Sequence, residues 1–199
     1  MTFKEFYFLC ESNANTVAIV VDIQPLYDSS CRHIMEDFVQ FVSAHKGQVV
    51  CFFNGPDIGG DEKYQVIEYF MEHGMTEEDV ERIDFKEKVY AFFRNWMDAG
   101  MSRQNIIKAI RYMVMTRNYD SRDVTEDEWQ KLFGDEWNDV SSIVMSDDML
   151  SIPDISIKML KQYSGCYLMG GGEEECLSEF RFILEAFNIR YKLVKHLIY

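Results

Sequence analysis

Thr16-Val17-Ala18-Ile19-Val20-Val21 is an unbroken apolar run that ends on a carboxylate, Asp22. A strand with one wet face alternates apolar and polar residues, whereas a strand buried on both faces does not. The run therefore calls for a sheet covered on both sides, the environment of parallel strands. Gln48-Val49-Val50-Cys51-Phe52-Phe53 has the same character, and Cys166-Tyr167-Leu168-Met169 is a shorter example. Residues 30–44 carry apolar positions at Ile34, Phe38, Val39 and Val42, a helical period, and helix-like patterns follow at 62–73, 76–82, 91–98 and 102–116. After a helix-like piece starting at Ile155 come the Cys166–Met169 run, a helix over 176–187 and a last strand from Ile189 to Val194. Alternation of this kind predicts an α/β fold. The form expected is a Rossmann-like three-layer sandwich with a mainly parallel sheet and right-handed crossovers.

The stretch from about 95 to 154 breaks the alternation. It is helical in pattern, acidic, and holds Trp96, Trp129 and Trp137, with Thr125-Glu126-Asp127-Glu128 reading as a helix start. Residues 1–199 are accordingly read as a single α/β domain with a helical insertion at about 95–154. At 199 residues and 47% hydrophobic content, the chain is long enough to bury a core of its own.

A formal net charge of −14 repels phosphate backbones, and no basic stripe offsets it, so nonspecific nucleic-acid binding is disfavoured. Five cysteines are an odd number, scattered without CxxC spacing, which suits a reducing cytoplasm rather than a disulfide framework. The histidines form no HExxH or HxH pair. No apolar run approaches the roughly 20 residues of a membrane helix. The expectation is a cytoplasmic protein without a membrane partner, with a homo-oligomer left open.

Chemistry concentrates where the strands end. Gly170-Gly171-Gly172-Glu173-Glu174-Glu175-Cys176 reads as strand, glycine turn and helix, and the mouth of such a turn is where α/β sheets place ligands. Cys176 opens a helix with apolar positions at Leu177, Phe180, Ile183, Leu184 and Phe187. A helix N-terminus favours the thiolate, while three neighbouring glutamates oppose it. Cys176 is thus either a nucleophile or a buried apolar cysteine. Asp22, at the end of the first run, suits a general base or a metal ligand, or merely caps a turn. The loop Asn54-Gly55-Pro56-Asp57-Ile58-Gly59-Gly60-Asp61 adds two carboxylates. Lys88 either stabilises a thiolate or lies on the surface, and Arg94 either binds an anion or forms a salt bridge.

Together these pieces resemble the isochorismatase-like cysteine hydrolases. Val21-Asp22-Ile23-Gln24 is similar to that family's first-strand motif, and Lys88-Val89-Tyr90-Ala91-Phe92 to its lysine segment. Gly170 and Cys176 keep the family's glycine-to-cysteine spacing, although the interval from Lys88 to Cys176 is longer than usual because the helical stretch intervenes. The resemblance implies Asp22 as base, Cys176 as nucleophile and Lys88 as electrostatic partner, with no cofactor. It implies hydrolysis of a small molecule at a C–N bond through a thiol intermediate, or at a vinyl ether without need of the cysteine. Gln24, Asn54, Tyr90, Phe92, Gly171 and Gly172 are the candidates for holding that substrate.

A second resemblance is to PIN-like and NYN-type nucleases, which also open on an apolar strand ending in Asp. In that reading Asp22 and the Glu173–Glu175 cluster carry the site. Asp22, Asp57, Asp61, Glu174 and Glu175 would then hold Mg²⁺ or Mn²⁺ (Asp98 is a further candidate), and a metal-activated water would cleave phosphodiesters. The absence of a basic track counts against it. A third class is non-catalytic, an acidic module whose helical insertion binds a basic protein.

Overall fold

The computed structural model describes residues 15–88, 93–147, 150–152 and 157–199. In chain order these form β1 (Thr16–Val21), α1 (Asp28–Cys31), α2 (Met35–Ala44), β2 (Gln48–Asn54), α3 (Lys63–Glu72), α4 (Glu77–Glu81) and β3 (Ile83–Lys88). Next come α5 (Phe93–Asp98), α6 (Arg103–Thr116), α7 (Glu126–Phe133) and α8 (Trp137–Val144). The chain returns through α9 (Ile157–Leu160), β4 (Gly165–Gly170), α10 (Cys176–Ala186) and β5 (Tyr191–Ile198).

The five strands form one sheet in the order β3-β2-β1-β4-β5, and every neighbouring pair is parallel. This is the α/β architecture that the apolar runs predict. β1 at the centre of the sheet and β2 and β4 on either side of it are buried along nearly their whole length. One face of the sheet presents Ala18, Val20, Val49, Cys51, Phe53 and Met169 to Phe38, Phe41 and Val42 of α2 and Val66 and Phe70 of α3. Phe38 and Phe70 meet edge to face at 5.1 Å. Full burial of a phenylalanine contributes about 2–3 kcal/mol, so this cluster holds α2 and α3 in place. On the other face Phe180 of α10 packs on Phe52 of β2 at 4.8 Å.

The strand order turns around between β1 and β4, since β2 and β3 lie on one side of that pair and β5 on the other. In open parallel sheets, ligands bind beyond the C-terminal strand ends at this switch point. Asp22 follows β1 and Gly171 follows β4, so both emerge there.

The chain divides into two compact units: residues 1–88, 156–181 and 189–199, which hold the sheet, and residues 89–155 with 182–188. The second contains the stretch expected at 95–154 and is helical among its described residues. Its core is aromatic: Trp96 and Trp129 meet at 6.1 Å, and Phe133 stacks on Trp129 at 5.8 Å. The Thr125–Glu128 helix start is a reciprocal capping box, with each side chain bonded to the other's backbone N–H.

Two elements differ from the sequence reading. β3 is a strand that the charged sequence Ile83-Asp84-Phe85-Lys86-Glu87-Lys88 conceals, because it lies at the sheet edge, where polar residues are tolerated. β5 begins at Tyr191 and continues to Ile198, past the expected end at Val194.

Candidate active site

Three strand ends and one helix start meet in the sheet-bearing unit. Asp22 follows β1 with φ 57°, a left-handed conformation that aspartate tolerates better than most residues. Its backbone N–H donates to the Phe52 carbonyl at 2.8 Å, which fixes the residue against β2. On the far side, Gly170 ends β4 at φ 97°, and a Cβ there would sit 2.0 Å from the Val21 carbonyl oxygen. Only glycine lets β4 pass that close to β1. The Gly171 N–H donates to the same carbonyl at 2.8 Å. A Cβ on Gly171 would lie 3.2 Å from Cys176 Cβ and 3.7 Å from Asp22 Oδ2. Gly171 thus keeps open the space that the carboxylate and the thiol share.

Lys88 reaches this space from the end of β3. Its Nζ donates to Asp22 Oδ2 at 2.6 Å, and both side chains are buried, 2% and 0% exposed. Burial alone would favour the neutral amine, but Asp22, Cys176 and Glu179 more than reverse this and raise the lysine above its usual range. Asp22 Oδ1 is buried with no hydrogen-bond partner among the described residues.

The Cys176 thiol is pushed up to about 12, first by burial and then by the Asp22 charge, while Lys88 pulls it down. The resting group is therefore a thiol. Asp22 is placed to take its proton, after which Lys88 faces a thiolate. Glu173 is half-buried and Glu174 and Glu175 are exposed. The carboxylate that opposes the thiolate is Asp22, rather than the glutamates that the sequence brings to mind.

A second layer braces the loops. Gln24 is fully buried, and its Nε2 donates to Asp61 Oδ2 at 2.7 Å and to the Asn54 carbonyl at 3.3 Å. Its Oε1 accepts from the Asn54 N–H at 2.7 Å. All of its amide groups are engaged within the protein, so Gln24 ties the loop after β1 to the loop after β2. Asp61 also accepts from the Leu26 N–H at 2.9 Å. Asn54 Nδ2 donates to Tyr27 Oη at 2.6 Å, and Asn54 Oδ1 is buried with no partner among the described residues. Tyr199 Oη donates to the Asp22 carbonyl at 2.7 Å and closes the site from the end of β5.

A comparison with family models, curated proteins and solved structures finds no match.

The structure brings Asp22, Lys88, Cys176 and Gly171 together, with Asn54 and Gln24 on the neighbouring strand end and loop. It does not gather the carboxylates of the metal reading: Asp57 is exposed on a turn, Asp61 is bound by Gln24, and Glu174 and Glu175 face outward. Among the described residues, no group of three or more His, Cys, Asp or Glu side chains is placed to hold a metal ion. Tyr90 and Phe92 lie outside the described residues. A cavity of about 270 Å³ opens at the other end of the strands, among Thr16, Ser164, Tyr167 and Arg190, and contains none of these groups.

Sequence reasoning overlooked Glu179 and Tyr199. Glu179 had a visible signal, a carboxylate one turn after Cys176 between the inward positions Leu177 and Phe180. Tyr199 had none, because its role depends on where β5 ends.

Proposed function

We propose that this chain is a hydrolase of the isochorismatase-like type, acting on a small molecule at a C–N bond, with Cys176 as nucleophile. The observation that carries the reading is the buried Asp22–Lys88 pair meeting Cys176 at the switch point of the sheet. Asp22 takes the thiol proton, and the sulfur attacks the substrate carbonyl carbon. A C–S bond forms, the C–N bond breaks, and the proton on Asp22 passes to the leaving nitrogen. Water then cleaves the thioester, with Asp22 again as base. Lys88 holds Asp22 in place and offsets the thiolate charge, and the first turn of α10 favours the negative charge that develops beside it. The described cysteines are all free, which suits a reducing cytoplasm.

Ammonia release from a panel of primary amides, with wild type, Cys176→Ala and Asp22→Asn, tests the proposal. Loss of at least about a thousandfold in both variants, with an acyl adduct trapped on Cys176, supports it. Full turnover by Cys176→Ala on the same amide overturns the C–N reading. If Cys176→Ala retains activity on a vinyl ether and Asp22→Asn does not, the ether branch of the same type is the better description.

A further inference from the structure

The reading above neutralises the carboxylate that is hydrogen-bonded to Lys88, and that is where it meets a difficulty. When Asp22 takes up the thiol proton, the carboxylate that holds the ammonium becomes neutral. Lys88 is then a buried cation facing a thiolate that is itself about to be consumed in the C–S bond. A buried ammonium without a nearby negative charge loses its proton or swings away.

A second carboxylate lies within the same group. Glu179 is 8% exposed, an unusual burial for a glutamate. It follows Cys176 by three positions on α10, so the two side chains lie on one face of the helix. Phe180, next to it, packs on Phe52 of β2 at 4.8 Å. Phe52 is the register partner of Lys86 on β3, and Lys88 lies two residues further along the same face of the sheet. α10 therefore carries Glu179 over the ends of β2 and β3, where Lys88 rises. The field of Glu179 favours the charged form of Lys88.

We propose that Glu179 is a positioning residue for Lys88, a second buried carboxylate that holds the ammonium beside Cys176 while Asp22 carries the thiol proton. The inference rests on the hydrolase reading for its purpose, but its electrostatics stand on their own. The step balances. One proton moves from sulfur to Asp22, Lys88 keeps its charge, and the net charge of the four groups is one negative before and after.

Several described groups bear on the pair. Asp22 comes from the end of β1, Cys51 from β2, Cys176 and Glu179 from α10, and Tyr199 from the end of β5. Cys51 and Tyr199 are held neutral, chiefly by burial and with help from Asp22. They contribute no charge to the cluster near neutral pH.

The test reads the thiol, so no substrate is needed. Alkylation of Cys176 by iodoacetamide is followed by peptide mass spectrometry on the full chain from pH 7 to 10. Asp22→Asn is isosteric and tolerates the left-handed backbone. It removes a negative charge beside the sulfur while Glu179 keeps Lys88 charged, so labelling is expected to quicken about tenfold, one unit of thiol acidity. Asp22→Asn combined with Glu179→Gln removes both carboxylates, so the charged form of Lys88 is less favoured and labelling falls at least about tenfold below Asp22→Asn alone. Taking away a negative charge would then make a thiol less acidic, a sign that only an effect through Lys88 gives. Asp22→Asn with Glu179→Asp is expected to keep the fast rate. Equal rates for Asp22→Asn with and without Glu179→Gln overturn the proposal. If the double variant does not fold, Asp22→Asn alone decides, because slower labelling than wild type overturns the proposal. Failure of the hydrolase reading would appear elsewhere, as full amide turnover by Cys176→Ala, and leaves these rates unchanged.

Discussion

Lys88→Met is the sharpest test of the buried pair. The charges stand 2.6 Å apart with the side chains 2% and 0% exposed, so almost no water screens them. At an effective dielectric of about 20 their attraction is about 6 kcal/mol. Desolvating both groups takes back much of this, so the pair contributes little net stability compared with an apolar pair of the same shape. Removing one partner is different, because the Asp22 charge stays buried without its cation. A loss of about 3–5 kcal/mol is expected. A chain of this size melts roughly 2–4 °C lower per kcal/mol, so Tm falls by about 10 °C. Asp22→Asn combined with Lys88→Met removes both charges of the pair and is expected to recover part of the loss, since Glu179 stays buried beside them. Urea unfolding of the four proteins in a double-mutant cycle supplies the numbers. A Lys88→Met protein within about 1 kcal/mol of wild type would refute the claim that the pair is closed to water.

Other perturbations separate scaffold from site. His45 is fully buried, stacked on Phe41 at 5.2 Å, and held down to about 4 mainly by burial. Its folded value lies below its unfolded value of 6.5, so its neutral form stabilises the fold above that pH. That stability is lost as pH falls towards 4, about 3 kcal/mol in all. His45→Phe should flatten this part of the stability-against-pH curve, and parallel curves for the two proteins would contradict the assignment. Gly170→Ala is expected to cost at least about 3 kcal/mol, measured by urea unfolding, from the clash with Val21 and the left-handed φ. Gly171→Ala meets only side-chain atoms, so it should cost about 1 kcal/mol or less while slowing Cys176 alkylation about tenfold or more. Equal alkylation rates would mean that the space between Asp22 and Cys176 has no role.

The strands that sequence revealed are the ones buried on both faces. Thr16–Val21, Gln48–Phe53 and Cys166–Met169 announce themselves because a doubly covered strand has no polar positions to obscure it. β3 and the second half of β5 were obscured by their surroundings. Both lie at sheet edges, where water reaches the backbone and residues such as Lys86, Glu87 and Lys195 are admitted. The site was legible in the same uneven way. Asp22 and Cys176 follow strand ends, and strand ends are visible in sequence. The sign of their interaction was not, since burial and a carboxylate 154 positions away decide it, rather than the adjacent glutamates. Gln24, read as a substrate contact, is occupied by Asp61 and Asn54, a pairing between loops that only the folded sheet creates.

The position of Lys88 has a consequence for motion. Among the described residues β3 pairs with β2 alone, and Lys88 is its last residue. Edge strands open more readily than the centre of a sheet, so the ammonium rides on a part of the sheet-bearing unit suited to partial opening. Such an opening would admit water to Asp22 and separate it from its cation while β1 and β4 remained intact. The fraction of molecules able to react would then follow the local stability of β3, not the global stability of the fold. Amide exchange along Ile83–Lys88 would track thiol reactivity more closely than any melting curve.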